Sequence, residues 1–133
     1  MSDLRALQQQ LADTPLAPFD VHQHVGQFLA REAWLLDRRL FERWVDLFTD
    51  DGIYWVPSGR EDGDPGIDAV IVYESKRELR AHVSRLRHPL AITEQPPPRV
   101  RHVLGPVLAW QTSEGLVASV NMLVEVHWAA NRR

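Results

Sequence analysis

The sequence predicts an α+β fold, with three helices packed on a curved, mostly antiparallel sheet. Three observations lead there. Three stretches carry apolar residues at helical spacing, bounded by capping or breaking residues. Residues 116–128 alternate between apolar and polar side chains with a period of two. The elements run helix, helix, strand, strand, helix, strand, strand, so a long hairpin ends the chain.

Residues 2–12 set Leu4, Leu7 and Leu11 on one helical stripe, and Thr14-Pro15-Leu16-Ala17-Pro18 breaks it. Residues 1–18 are expected to be an arm that packs on a neighbour or frays. Residues 19–133 form a single domain. Asp20 opens the first long helix, with Gln23 completing a capping-box pattern. Val21, Val25, Phe28, Leu29 and Leu36 give this helix one apolar face. Gly26 inside it costs about 1 kcal/mol relative to alanine.

Asp37-Arg38-Arg39 makes a corner. The second helix places Phe41, Trp44, Val45 and Phe48 at i, i+3, i+4 and i+7, and Asp50-Asp51-Gly52 stops it. Residues 53–56 are β-branched and aromatic, hence strand, and Pro57 ends it. Residues 58–68 are a loop rich in glycine, aspartate and proline, expected to be mobile. Residues 69–73 are nearly all apolar and predict a second, well-buried strand.

Ser75 caps the third helix, with Glu78 completing a capping box. Leu79, His82, Val83 and Leu86 form its inner face, and His88-Pro89 closes it. Three consecutive prolines, Pro96 to Pro98, keep the connector of residues 93–98 extended. Residues 99–111 form a strand with Gly105-Pro106 at its middle, which predicts a bulge or kink. Residues 112–115 are the hairpin turn. The last strand would span about 40 Å if straight, at ~3.3 Å per residue, so it must curve.

Composition narrows function by exclusion. The 133 residues suffice for one domain with a core, and 44% hydrophobic with 25% charged residues is the balance of a soluble globular chain. A net charge of −3 and pI ≈ 6.0 give no basic field for nucleic acid or an anionic membrane. No apolar run approaches the roughly 20 residues of a membrane span. The N-terminus lacks the apolar stretch of a secretory signal, so a cytoplasmic location is expected. The chain has no cysteine, which excludes disulfides, a thiol nucleophile, cysteine-ligated zinc and iron–sulfur clusters within it.

The element order resembles the cone-shaped nuclear transport factor 2-like fold, in which a bent sheet wraps three helices around a pocket. Two sequence blocks carry a narrower resemblance. The first is residues 31–57, with the corner at Asp37 and the aromatic helix that follows. The second joins Leu79-Arg80-Ala81, Arg85-Leu86, Pro96 to Pro98, Arg101-His102 and the final strand. In order and spacing these resemble the small (β) subunits of aromatic-ring-hydroxylating dioxygenases, over roughly residues 28–128.

There are departures from the family pattern. Leu104-Gly105-Pro106 stands where members have a Ser-Asn-Val-like sequence, and His82 stands where arginine is common. Members continue past the Trp128 strand through a further strand pair, whereas this chain stops at Asn131-Arg132-Arg133. It is either a shortened member or a fragment. The expectation is therefore a sheet without its last strands, with an exposed edge open to pairing.

The resemblance implies a structural, non-catalytic subunit that associates with a large (α) subunit, three of each together. The large subunit would hold the Rieske cluster and mononuclear iron and receive electrons from NADH through a reductase. No cofactor is then expected in this chain, and self-association as a trimer within the hexamer is.

The residues themselves also allow a stand-alone dehydratase, cyclase or isomerase. His102 shares an alternation face with Val100, Leu104 and Leu108 and is expected to point into the cone. It reads as a general acid/base or as a buried histidine that positions the sheet. Asp37 reads as a helix N-cap or as a pocket carboxylate. Tyr54 and His82 read as core residues or as further pocket groups, with His82 approaching His102. A ligand-binding or purely oligomerising module would instead show an apolar pocket without convergent polar groups.

No metal site is expected. His22 and His24 lie on different helix faces and cannot chelate together, and no spacing matches a two-histidine–one-carboxylate set. Gly59, Gly63 and Gly66 lie in an acidic loop, the wrong charge for a phosphate cradle. Arg38, Arg39, Arg43, Arg99 and Arg101 are candidate interface residues or a solvated charged face. Trp110 and Trp128, expected to be exposed, are subunit contacts or covers for the core.

Overall fold

In the computed structural model, residues 4–59, 70–87 and 97–128 are described. Helix α1 (Leu4–Ala12) buries Leu11, and Thr14 Oγ1 donates to Gln10 O at 2.8 Å at its end. The arm turns back on its own chain: the Ala17 N–H donates to Ala109 O at 2.8 Å. Helix α2 (Phe19–Asp37) begins directly after Pro18. Asp20 is therefore not its cap. Pro18 sets the chain direction with φ −55°, and Asp20 sits inside the first turn, where its charge favours the helix dipole. Val25, Ala33 and Leu35 are buried along α2, whereas Phe28 is exposed. Nothing lies within 4 Å of where a Gly26 Cβ would stand, so no close packing explains that glycine.

The corner after α2 is a Schellman turn. The Leu40 N–H donates to Leu35 O and the Arg39 N–H to Leu36 O, both at 3.0 Å. Arg39 takes the left-handed position, φ 58°, that glycine usually fills. Leu40 then packs on the core beside Leu35. Helix α3 (Phe41–Val45) is capped by Leu40, so Asp37 is not its N-cap. It is shorter than its apolar spacing predicts; turns carry the chain through Asp46 to Phe48.

Strand β1 (Ile53–Pro57) pairs antiparallel with β2 (Val70–Ser75), Tyr54 opposite Glu74 and Trp55 opposite Tyr73. Helix α4 (Lys76–Leu86) follows with no loop. The Ser75 hydroxyl accepts from the Glu78 N–H, and the Ser75 N–H donates to the Glu78 carboxylate, completing the expected capping box. Leu35, Trp44, Val45, Leu79 and Val83 form the core between these elements. Strand β2 is covered on one face only, so Ile71 and Tyr73 are exposed rather than well buried. The loop expected over residues 58–68 lies outside the described residues beyond Gly59, as do His88-Pro89 and most of the proline connector.

Strand β3 (Arg99–Thr112) and strand β4 (Gly115–His127) form a long antiparallel ribbon closed by the expected turn, with Gly115 at φ +129°. The register shifts between Leu104 and Val107, which is the bulge expected at Gly105-Pro106. The bulge also reverses which residues face inward. Leu108, expected beside His102, is 44% exposed, and Ala109 is buried instead. Helix α2 packs on β3, and His22 Nε2 lies 2.7 Å from Val107 O at the end of the bulge. The fold is α+β as expected, but the described strands form two separate pairs rather than one continuous sheet. Among the described residues, no helix is long and apolar enough to cross a membrane.

Candidate functional site

Two polar groupings sit against this framework. The first closes the corner of α2 against β3. One oxygen of Asp37, Oδ1, accepts from the His102 backbone N–H at 3.0 Å and lies 2.6 Å from His102 Nδ1. Both side chains are well shielded, 8% exposed for Asp37 and 14% for His102. With the carboxylate as acceptor, Nδ1 carries the ring proton. The inward phase of β3 before the bulge delivers His102, and the last turn of α2 delivers Asp37. An aspartate that orients an imidazole is half of a general-base arrangement.

The second grouping lines a cleft of about 220 Å³ between α3, α4 and the inner face of β1–β2. Tyr54, Glu74 and His82 face it, among Phe41, Trp44 and Leu79. Burial raises the Tyr54 phenol above its ordinary 10.0, and the charges of Glu32 and Glu74 add to the effect. Glu32 itself accepts from Trp44 Nε1 at 3.0 Å. Glu74 holds one oxygen 3.5 Å from His82 Nδ1, and its Oε2 is buried with no hydrogen-bond partner.

The four expected pocket residues thus divide. Asp37 joins His102, and Tyr54 shares the cleft with His82. Among the described residues no hydrogen bond links one pair to the other, and His82 pairs with Glu74 instead of approaching His102. Glu74 and Glu32 escaped the sequence reading. A signal existed for Glu74: it shares the strand phase of Val72, the side that β2 turns toward the helices.

Among the interface candidates, Arg38 lies 4.2 Å over the Trp34 ring, and its guanidinium donates to Trp34 O at 3.4 Å. Arg39 lies 5.1 Å over Phe41. Arg43 is exposed on α3. Arg99 and Arg101 are exposed on β3, opposite His127 and Glu125. Trp128 is half exposed, but Trp110 is only 8% exposed. Trp110 shares the strand phase of the exposed Leu108 and is buried because α1 lies over that face, where it shares a groove with Leu4, Leu7 and Leu11. It covers the core rather than standing free. Among the described residues, no three His, Cys, Asp or Glu side chains gather closely enough to hold a metal.

Comparison with known proteins places these features. The family described as ring hydroxylating beta subunit matches residues 31–133. The small subunit of anthranilate 1,2-dioxygenase from Acinetobacter baylyi is 30% identical over 103 residues, 74% of this chain and 63% of that protein. The small oxygenase component of the p-cumate 2,3-dioxygenase system from Pseudomonas putida is 35% identical over 107 residues, 77% of this chain and 59% of that protein. The chain spans less than two thirds of the length of these curated relatives. Among solved structures, naphthalene 1,2-dioxygenase with indole bound in its active site matches with a TM-score of 0.77 at 17% identity, over 94% of this chain and 70% of that one. The β subunit of a putative aromatic-ring-hydroxylating dioxygenase from Novosphingobium aromaticivorans matches with a TM-score of 0.53 at 25% identity, over 80% of this chain and 76% of that one.

Proposed function

Because the chain belongs to the family of ring-hydroxylating β subunits, we propose that it is a structural, non-catalytic subunit of an aromatic-ring-hydroxylating dioxygenase. In this reading it associates with a large α subunit in the cytoplasm, three copies of each forming a hexamer. The large subunit performs the reaction with O2 and electrons from NADH. A Rieske centre needs two cysteines and two histidines. This chain has no cysteine, so its donors do not fit that cluster. The Rieske cluster and the mononuclear iron are assigned to the large subunit.

The observation that carries the reading is the closed geometry of Asp37 and His102. One carboxylate oxygen serves both the backbone and the ring of His102, which fastens the helical corner to the sheet. Tyr54 and His82 stand with Glu74 in another grouping, which speaks against a four-residue catalytic set. The surface suits assembly. Leu116, Met122, Leu123, Val124, Val126 and Trp128 are exposed along β4 and just after it, and Arg43, Arg99 and Arg101 are exposed elsewhere.

The test is co-expression of the chain with candidate large subunits, followed by size-exclusion chromatography with mass determination. Co-elution in equal amounts is expected. Reversing Arg99 and Arg101 to glutamate should weaken that complex without unfolding the chain. Failure to form a complex with any large subunit overturns the reading. So would dehydratase or isomerase turnover by the isolated chain that His102→Gln abolishes.

A further inference from the structure

The cleft between α3, α4 and β1–β2 carries polar groups that a purely structural role leaves unused. Its volume is about 220 Å³. Apolar cavities of about 150 Å³ hold benzene, so this space suits one six-membered ring with a small substituent. Phe41, Trp44, Leu79 and Val83 supply apolar and aromatic walls. Glu74 Oε2 is buried without a hydrogen-bond donor, and Tyr54 lines the same cleft. A carboxylate oxygen in that state is costly and is relieved by an arriving O–H or N–H group.

Charge selects among ligands. Glu74 faces the cleft, and Glu32 lies close enough that both charges act on Tyr54. An aromatic carboxylate would bring a further negative charge into this field. A neutral hydroxyl group brings one donor and one acceptor, which suits the donor-less Glu74 oxygen and the neighbouring Tyr54 phenol. The Tyr54 phenol, held above its ordinary 10.0, stays protonated at neutral pH and is available to donate.

We propose that this cleft binds a neutral monocyclic phenol, its ring against Phe41 and Trp44, its hydroxyl donating to Glu74 and accepting from Tyr54. The site is separate from the Asp37–His102 pair, and the proposal does not rest on association with a large subunit. The isolated full chain therefore tests it independently of assembly.

The experiment is an NMR titration of the nitrogen-15-labelled full chain with phenol and, separately, with benzoate. Phenol should give saturable shifts at the Trp44 indole N–H and at the amides of Leu79 and Val83, with benzoate at least about tenfold weaker. Tyr54→Phe keeps the ring that packs edge-on against Trp44 and Phe48 and should weaken phenol about tenfold. Glu74→Gln keeps the side-chain shape and should narrow the preference for phenol over benzoate. Absence of saturable shifts at the cleft overturns the proposal. Equal binding of benzoate, or unchanged phenol affinity in Tyr54→Phe, overturns it as well.

Discussion

The half of the chain built from α3, α4, β1 and β2 and the ribbon of β3 and β4 both carry abundant apolar side chains, but the first covers more of them. In the covered half, Trp44, Val45, Leu79 and Val83 close on Leu35. Polar ties bind its surface: Arg80 to Asp46 at 3.3 Å, Arg87 to Glu42 at 2.6 Å, and Lys76 Nζ to Phe48 O at 2.8 Å. In the ribbon, α2 packs on β3, where Ala109 is buried, and α1 lies over Trp110, while β4 contributes no core residue. Leu123 is 73% exposed in a strand of strong alternation. A period-two pattern makes a strand amphipathic; a second layer must arrive before the apolar face is removed from water.

The sharpest way to break this contrast is to remove one large side chain from each half. Trp44→Ala should destabilise the chain by about 3–5 kcal/mol, because it empties the centre of the core. It also leaves Glu32 without its 3.0 Å donor. Leu123→Ala should change stability by less than about 0.5 kcal/mol. Urea denaturation of both variants measures the difference. Equal losses would mean that β4 is covered in solution.

The next largest effect concerns the joint between the halves. Asp37→Ala should cost about 2–3 kcal/mol, since the partly shielded His102 backbone N–H and ring lose a shared acceptor. Asp37→Asn keeps an acceptor in place and should cost less. The same unfolding measurement separates them. A neutral Asp37→Ala would mean that the corner is held by its Schellman turn alone.

These sites differ in how far they could be read from sequence. Ser75 and Glu78 are three residues apart, and local spacing declares a capping box directly. Gly105-Pro106 announced a bulge, because proline cannot donate to a ladder. Its consequence, Ala109 turned inward and Leu108 outward, depends on how many residues the bulge leaves unpaired. Asp37 looked like a cap for the next helix because aspartate caps helices locally. Its actual partner lies 65 residues away, and only tertiary packing brings them together. The corner itself was legible, but not that Arg39 takes the left-handed position, which is usual for glycine. The splitting of the expected pocket set has the same origin. His82 and Glu74 meet because α4 starts at the end of β2 without a loop, a geometry that alternation and helical spacing do not encode separately.

A smaller effect tests whether the covered half depends on that abrupt strand-to-helix junction. Ser75→Ala should cost about 1 kcal/mol, the usual loss for a helix cap. The Ser75 backbone and side chain both hold the Glu78 carboxyl below its ordinary 4.5, so the variant should also bring that carboxyl back toward 4.5. A carbon-13 NMR titration of Glu78 follows this directly. An unchanged titration would mean that the Ser75 side chain contributes little, leaving the backbone bond as the source.

The smallest expected effect is a pH dependence confined to the covered half. Arg87 holds the Glu42 carboxyl below its ordinary 4.5, chiefly through their hydrogen bond. The folded value is depressed, so this contribution is fully present above about 4.5 and is lost as pH falls through the folded value. Both side chains are about half exposed, so solvent screening limits the pair to about 0.5 kcal/mol. Arg87 also donates to Arg39 O and lies 5.6 Å from the Phe41 ring. Arg87→Gln therefore removes more than one contact at neutral pH. Of the Arg87 contacts, only the ion pair depends on the charge of Glu42, so the change in the slope of stability below pH 4.5 isolates it. That slope should be shallower in Arg87→Gln than in the parent chain, whatever the loss at pH 7. An identical slope would assign the surface ties of α4 to geometry rather than charge. The covered half would then differ from the ribbon by its apolar layer alone.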